Sequence, residues 1–269
     1  MLSWMRNFAL VLMSGSLLLI GIALVGDLSP LGDYEDPKWY RSWEAYDPEL
    51  AAQTRSVDSF INVARSRATG PTDAELMQSL YEVARDRFVH YPARHNIFSN
   101  WLLWLHHKLA RAHPARLKNP EEILARGDSG LCGQMSIVLT NAALRMGINA
   151  RIVQFGGHTA MESYVNGGWR LYDADAEVAA GMSVAELVST PGALEEKFPG
   201  DYRLGYRQTI GNQANNHVDW RVPVSTRLEV VYEDLKYQIP LSGFFASTLG
   251  LFLLRKRGVW LRSKGQEVS

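Results

Sequence analysis

The sequence predicts an α+β protein: a helix that begins at the only cysteine, Cys132, packs on a small antiparallel sheet, and apolar helices tether the chain at one or both ends. Three observations predict it. Met135, Val138, Leu139, Ala142, Leu144 and Met146 follow Cys132 at helical spacing, and Gly147 supplies a stop signal. The apolar stretches Ala150 to Phe155, His158 to Val165 and Trp169 to Asp173 read as strands; Gly156-Gly157 breaks the first pair and Asn166-Gly167-Gly168 turns the second as a hairpin. Uncharged apolar runs occupy residues 8–25 and 239–254, near the two ends.

Taken in order, residues 8–25 suit a membrane span, with Arg6 before them and Asp27, Asp33, Glu35 and Asp36 after. The positive flank puts the N-terminus in the cytoplasm. A cleaved signal peptide is the alternative, but Ala23-Leu24-Val25-Gly26 lacks a small-x-small cleavage site, so an uncleaved anchor is expected over residues 1–26. Residues 27–70 read as a linker and packing segment. Pro30, Pro37 and Pro48 extend the chain, and Trp39, Tyr40, Trp43 and Tyr46 dock it on something. A short helix is expected from Val57 to Ala68, ended by Gly70-Pro71. The capping box Thr72-x-x-Glu75 opens a second from Asp73 to about Val89, and Tyr91-Pro92 closes it.

Residues 94–118 gather Arg94, His95, His106, His107, Lys108, Arg111, His113, Arg116 and Lys118 around an apolar stripe of Trp101, Leu102, Leu105 and Leu109. A solvated helix face over a core stripe explains this pattern; a basic face for an anionic glycan or lipid headgroups is the functional alternative. No metal-ligand spacing completes these histidines, so neither a metal nor another cofactor is expected. Beyond Asp175, Ser183-x-x-Glu186 caps a short helix that ends at Pro191-Gly192. Residues 198–223 show no clear period, and Arg227 to Gln238 reads as a strand. Residues 237–257 read as a C-terminal membrane helix, flanked by Tyr237 and Trp260 and followed by the cytoplasmic cluster Arg255-Lys256-Arg257, with residues 258–269 as a tail; a buried core helix is the alternative. Residues 71–236 then form the main domain, outside the cytoplasm.

In 269 residues there is room for one sizeable core, and Lys plus Arg (28) equal Asp plus Glu (28), which argues against a nucleic-acid partner. A single cysteine excludes an intramolecular disulfide; an unpaired thiol in an exported protein points to chemistry or to pairing between chains. At the first turn of a helix a thiolate gains from unpaired N–H groups and the helix dipole. A histidine on a neighbouring strand can serve as its base, and a carboxylate can hold the imidazole in the useful tautomer. Cys132, His158 and Asp173 supply these roles in chain order. Taken singly, each residue reads as structural: a buried Cys is usually a small hydrophobe.

The ordered set resembles a family. Gly130-Leu131-Cys132, then Leu144-Arg145-Met146-Gly147-Ile148-Asn149-Ala150-Arg151, then His158 with Glu162, and Gly168-Trp169 with Asp173 are similar to the bacterial transglutaminase-like proteins, a branch of the papain-like cysteine fold. The resemblance spans roughly residues 75 to 178, and a helix ending in a tyrosine before the nucleophile belongs to it. Ala160 stands where an aromatic is common, and Ser136 where a small apolar residue is usual. The resemblance implies Cys132 as nucleophile, His158 as base and Asp173 as orienting acid. The Cys132 backbone N–H is one oxyanion donor, with Trp101 or Asn100 as candidates for the second. His217 with Asp219 is an alternative base pair, set aside because His158 fits the family spacing.

The implied reaction is acyl transfer through a thioester on an amide of a peptide or protein substrate, chiefly hydrolytic, as in a peptidase or amidase. The alternatives are a protein-glutamine cross-linking transferase, and a non-catalytic membrane-tethered binding or scaffold module among the proteins of an envelope or polysaccharide system. The implied place is the bacterial inner (cell) membrane, in contact with its lipid, with the main domain on the periplasmic or extracellular side.

Overall fold

A five-stranded sheet and the helix that begins at Cys132 form the centre of one of two compact units. The computed structural model describes residues 2–28, 41, 44–110, 116–155, 158–197, 216–218 and 224–266. Gly156-Gly157, Asp219, most of the irregular 198–223 stretch and the aromatics Trp39, Tyr40 and Trp43 lie outside these residues. The chain divides into two compact units: Gly32–Arg94 with Arg116–Arg227, and Met1–Leu31 with His95–Ala115 and Leu228–Ser269.

In the first unit, helices α2 (Pro48–Gln53), α3 (Val57–Arg67), α4 (Asp73–Arg87), α6 (Pro120–Arg126) and α7 (Cys132–Arg145) surround strands β3 (Ala150–Phe155), β4 (His158–Val165), β5 (Gly168–Asp173), β6 (Val178–Ala179) and β7 (Asn216–Val218). The sheet order is β6-β5-β4-β3-β7, and its ladders are antiparallel. Local signals fix most of these elements. Thr72 and Glu75 cap each other at the start of α4, and Ser183 and Glu186 do the same for α8 (Val184–Ser189), which α9 (Ala193–Lys197) follows. Asn166 and Gly167 adopt positive φ (51° and 76°), the turn that joins β4 to β5 without splaying them.

Met135, Val138, Leu139 and Ala142 of α7 bury against Met77, Leu80 and Ala84 of α4, Phe60 of α3, and Met161 and Tyr172 of the sheet. A smaller apolar cluster on Val153, Ala160 and Leu171 includes Val184 and Leu187 of α8. Ala160, two residues after His158, is a buried core residue. Glu162 is fully buried; it pairs with Arg151 at 2.7 Å and accepts the Val184 N–H at 2.7 Å, so it joins sheet to helix. Arg151 in turn lies over the Trp169 ring, 3.9 Å from its centre.

The second unit joins α1 (Leu2–Leu28), α5 (Ile97–Leu109) and a long terminal helix, α10 (Val224–Gln266). α1 and α10 each contain a stretch long and apolar enough to cross a membrane, Ser3–Leu28 and Val231–Lys256, and only 11% of each apolar window is buried. Residues 227–238, read from sequence as a strand, are helical. Their alternating apolar residues suit either element, and continuity with the apolar segment decides for helix. At Gly26, α1 comes so close to α5 that a Cβ would stand 1.8 Å from the Phe98 carbonyl oxygen. Lys236 is buried and forms ion pairs with Asp27 (2.8 Å) and Glu233 (2.5 Å).

Pro240 stands inside α10, where it cannot donate to the carbonyl four residues earlier, that of Lys236. Trp101 Nε1 donates to that oxygen at 3.0 Å. The indole thus replaces the missing backbone donor, and the helix continues through the proline. Trp101→Phe should therefore destabilise this unit by about 1–3 kcal/mol, the cost of an orphaned buried acceptor. In a Pro240→Ala background the helix regains its own N–H and the penalty should largely vanish. Thermal unfolding of the four variants in detergent measures the coupling, and additive effects would show that the indole bond does not compensate for the proline.

Candidate active site

The loop before Cys132 is built from its neighbours inward. Arg87, fully buried, donates from Nε to Thr54 Oγ1 (2.9 Å) and from its terminal nitrogen to the carbonyls of Leu124 (3.1 Å) and Gly127 (3.2 Å). Asp128 receives the Tyr46 hydroxyl at 2.6 Å and Arg55 at 2.7 Å. A short parallel ladder then pairs β1 (Val89–His90) with β2 (Ser129–Gly130). This brings His90 beside Gly130, two residues before the cysteine.

Gln134 fixes the first turn of α7. Its Oε1 accepts the N–H groups of Ala93 (3.0 Å) and Leu131 (3.2 Å), and its Nε2 donates to the carbonyls of Ala93 (2.8 Å) and Leu117 (2.9 Å). Ser136 Oγ lies 2.7 Å from the Cys132 carbonyl and 3.1 Å from that of Thr159, so its hydroxyl ties the same turn to β4. A polar residue at this position has a partner on each side.

The structure brings Cys132, His158 and Asp173 together. His158 opens β4 and Asp173 ends β5; the register Met161↔Tyr172 sets them diagonally across one ladder. Asp173 is buried. Its Oδ2 meets His158 Nε2 at 2.7 Å, while its Oδ1 accepts the N–H groups of Asp175 (3.2 Å) and Ala176 (3.1 Å). With Nε2 engaged, Nδ1 is the ring nitrogen left to face the thiol. Cys132 and His158 are both partly exposed, so the pair is reachable from solvent. Burial alone would lower the imidazole's proton affinity; the charge and hydrogen bond of Asp173, followed by the bond and charge of Cys132, outweigh it and raise the His158 pKa to about 11. An imidazolium beside sulfur is the partner a thiolate nucleophile needs.

Four further groups escaped the sequence reading. Asp175 packs with a carboxylate oxygen, the His158 ring and Cys132 Sγ all within 4.8 Å of one another. Its Oδ1 is bonded to His90 Nδ1 and lies 3.4 Å from Arg41, and its Oδ2 lies 3.9 Å from His158 Nδ1. Glu44 accepts the N–H groups of His90 (3.0 Å) and Arg41 (3.3 Å) and holds this second layer in place; burial raises its pKa above the ordinary carboxyl value. Only the Ala-Asp-Ala sequence after Asp173 hinted at Asp175, and nothing local marked His90 or Arg41.

Other sequence candidates go elsewhere. Trp101 Nε1 and Asn100 Nδ2 are donated to Lys236 O and, at 2.8 Å, to Glu233, so neither is supported as the second oxyanion donor. His217 pairs with Val153 in the β7–β3 ladder, and Asp219 lies outside the described residues. No family model and no curated protein matches the chain. The α+β fold and the Cys–His–Asp cluster agree with a papain-like or transglutaminase-like arrangement.

The Asp173–His158 bond carries a pH signature. An imidazole that binds its proton more tightly when folded than at its ordinary value of about 6.5 adds stability that is fully present below that pH. The contribution is lost as pH rises from there toward about 11. Asp173→Asn keeps an oxygen for the Asp175 and Ala176 N–H groups but removes the charge facing His158. Urea midpoints between pH 6 and 10 should therefore fall more steeply for the wild type than for Asp173→Asn. Parallel curves would show that the bond does not hold the imidazole's proton.

Proposed function

We propose that the chain is a membrane-anchored cysteine enzyme of transglutaminase-like type that hydrolyses an amide bond in a peptide or protein through a thioester. The observation that carries this reading is the placement of His158: Asp173 holds Nε2, and Nδ1 faces a thiol at the first residue of α7. The Cys132 thiolate attacks the amide carbonyl, and the backbone N–H of Cys132 supports the oxyanion. The C–N bond breaks and the leaving amine takes its proton from the His158 imidazolium. Water, deprotonated by His158, then attacks the thioester, the acid is released and the thiol returns. Asp173 keeps the ring in place through both steps.

The apolar windows of α1 and α10 support membrane anchoring by the second unit. Arg6 and the Arg255-Lys256-Arg257 cluster put both chain ends in the cytoplasm, which leaves the Cys132 unit on the periplasmic or extracellular side. A reporter that works only outside the cytoplasm should be active when fused after residue 60 and silent when fused after Ser269. Activity at the second fusion would leave α1 as the single span.

Alkylation of Cys132 against pH tests the chemistry. A free thiol, with a pKa of about 8.5, is almost wholly protonated at pH 6. Wild-type Cys132 should still react with iodoacetamide there, and His158→Ala should slow it at least about tenfold. Amide hydrolysis should fall by roughly 10²–10⁴ in His158→Ala and vanish in Cys132→Ser. Stable incorporation of a labelled primary amine into protein would instead mark a cross-linking transferase. Reaction like a free thiol, indifferent to His158→Ala, would leave a binding module.

A further inference from the structure

We propose that Cys132 Sγ, His158 Nδ1 and Asp175 Oδ2 form a binding site for a borderline-soft divalent cation of the zinc type, and that the cation silences the nucleophile. The proposal takes the Cys132–His158 pair of the preceding reading as the group that is silenced. Its starting point is the one feature that a thioester mechanism leaves unexplained. A buried carboxylate stands within 4.8 Å of the sulfur and repels a thiolate. A divalent cation reverses that sign, because thiolate and carboxylate then both attract it.

The donors suit this ion. One thiolate, one imidazole and one carboxylate oxygen, with a fourth position open, are the ligand types and number of an open zinc site; calcium and magnesium take oxygen ligands. Bond lengths of about 2.0–2.3 Å in a tetrahedron set neighbouring ligand atoms about 3.3–3.6 Å apart. His158 Nδ1 and Asp175 Oδ2 are 3.9 Å apart, so closing around the ion requires a shift of roughly half an ångström.

The surrounding shell matches as well. Zinc-bound histidines commonly pass their other ring N–H to a carboxylate, and ligating carboxylates are themselves hydrogen-bonded. His158 Nε2 meets Asp173 at 2.7 Å, which turns Nδ1 to the site. His90 and Arg41 hold Asp175 by Oδ1, which turns Oδ2 to it. Both orienting groups are present before any ion binds, and the ligands come from β4, the turn after β5 and the start of α7.

The experiment uses the full chain in detergent, stripped with a chelator and then titrated with Zn²⁺, with Mg²⁺ and Ca²⁺ as controls. One equivalent of Zn²⁺ should slow iodoacetamide labelling of Cys132 at least tenfold at neutral pH, and the controls should not. Co²⁺ should bring up the thiolate-to-metal charge-transfer absorption, absent in Cys132→Ser. Asp175→Asn should raise the Zn²⁺ concentration needed for protection by more than about 100-fold, beyond the 10–100-fold expected for loss of an outer-shell partner. Labelling that ignores Zn²⁺, with no cobalt band, overturns the site. Protection unchanged in a folded Asp175→Asn removes Asp175 from it and overturns the three-ligand assignment. The metal-free labelling rate reports on the Cys132–His158 pair separately, so a failed metal site and a failed nucleophile give different results.

Discussion

The side chain of Gln134 is the constraint on which the rest of the site depends. It is buried, and two donors and two acceptors meet its amide: the N–H and carbonyl of Ala93, the N–H of Leu131 and the carbonyl of Leu117. An amide has two N–H donors and an oxygen with two lone pairs, so all its capacity is used. Ala93 and Leu117 also bond to each other, Leu117 N–H to Ala93 carbonyl at 2.9 Å, and Arg94 bridges Arg116 beside them. Two residues after Cys132, one side chain thus fixes both the start of α7 and the pairing of Ala93 with Leu117. Replacing it with an apolar group would strand several buried backbone groups at about 1–3 kcal/mol each.

What was legible in the sequence was local. The capping pairs at Thr72 and Ser183, the Asn166-Gly167 turn and the helical spacing after Cys132 each concern neighbours in the chain, and each stands in the structure as read. The order of Cys132, His158 and Asp173 was legible too, because one helix and one hairpin suffice to bring them together. Gln134, His90 and Arg41 were not. Their meaning comes from partners tens of residues away, as with Arg41 and Asp175, and no period or motif encodes such a meeting. The stretch from Arg227 to Gln238 was misread because its apolar residues suit a strand as well as a helix, and only its continuity with the apolar segment decides for helix.

The two units handle buried charge differently. Lys236 is buried, and its ammonium meets the Ser99 carbonyl and Asp27 and Glu233, two carboxylates that both reach solvent. A buried ammonium paired in this way gains little stability over apolar packing. At His158 two carboxylates, Asp173 and Asp175, face one imidazole, and Arg41 and His90 meet Asp175 at its other oxygen.

Asp173 connects His158 with Asp175. Through Oδ2 it orients His158, and through Oδ1 it accepts the N–H groups that shape the turn carrying Asp175. The imidazole and the second carboxylate therefore share one support. A change at Asp173 that removes its charge but keeps an oxygen acts on the imidazole and spares the turn. A change that removes the oxygen releases both, and the chain can no longer hold one neighbour of the sulfur without the other. Asp173, buried and partnered on each oxygen, stands at the last position of β5, from which both can be reached.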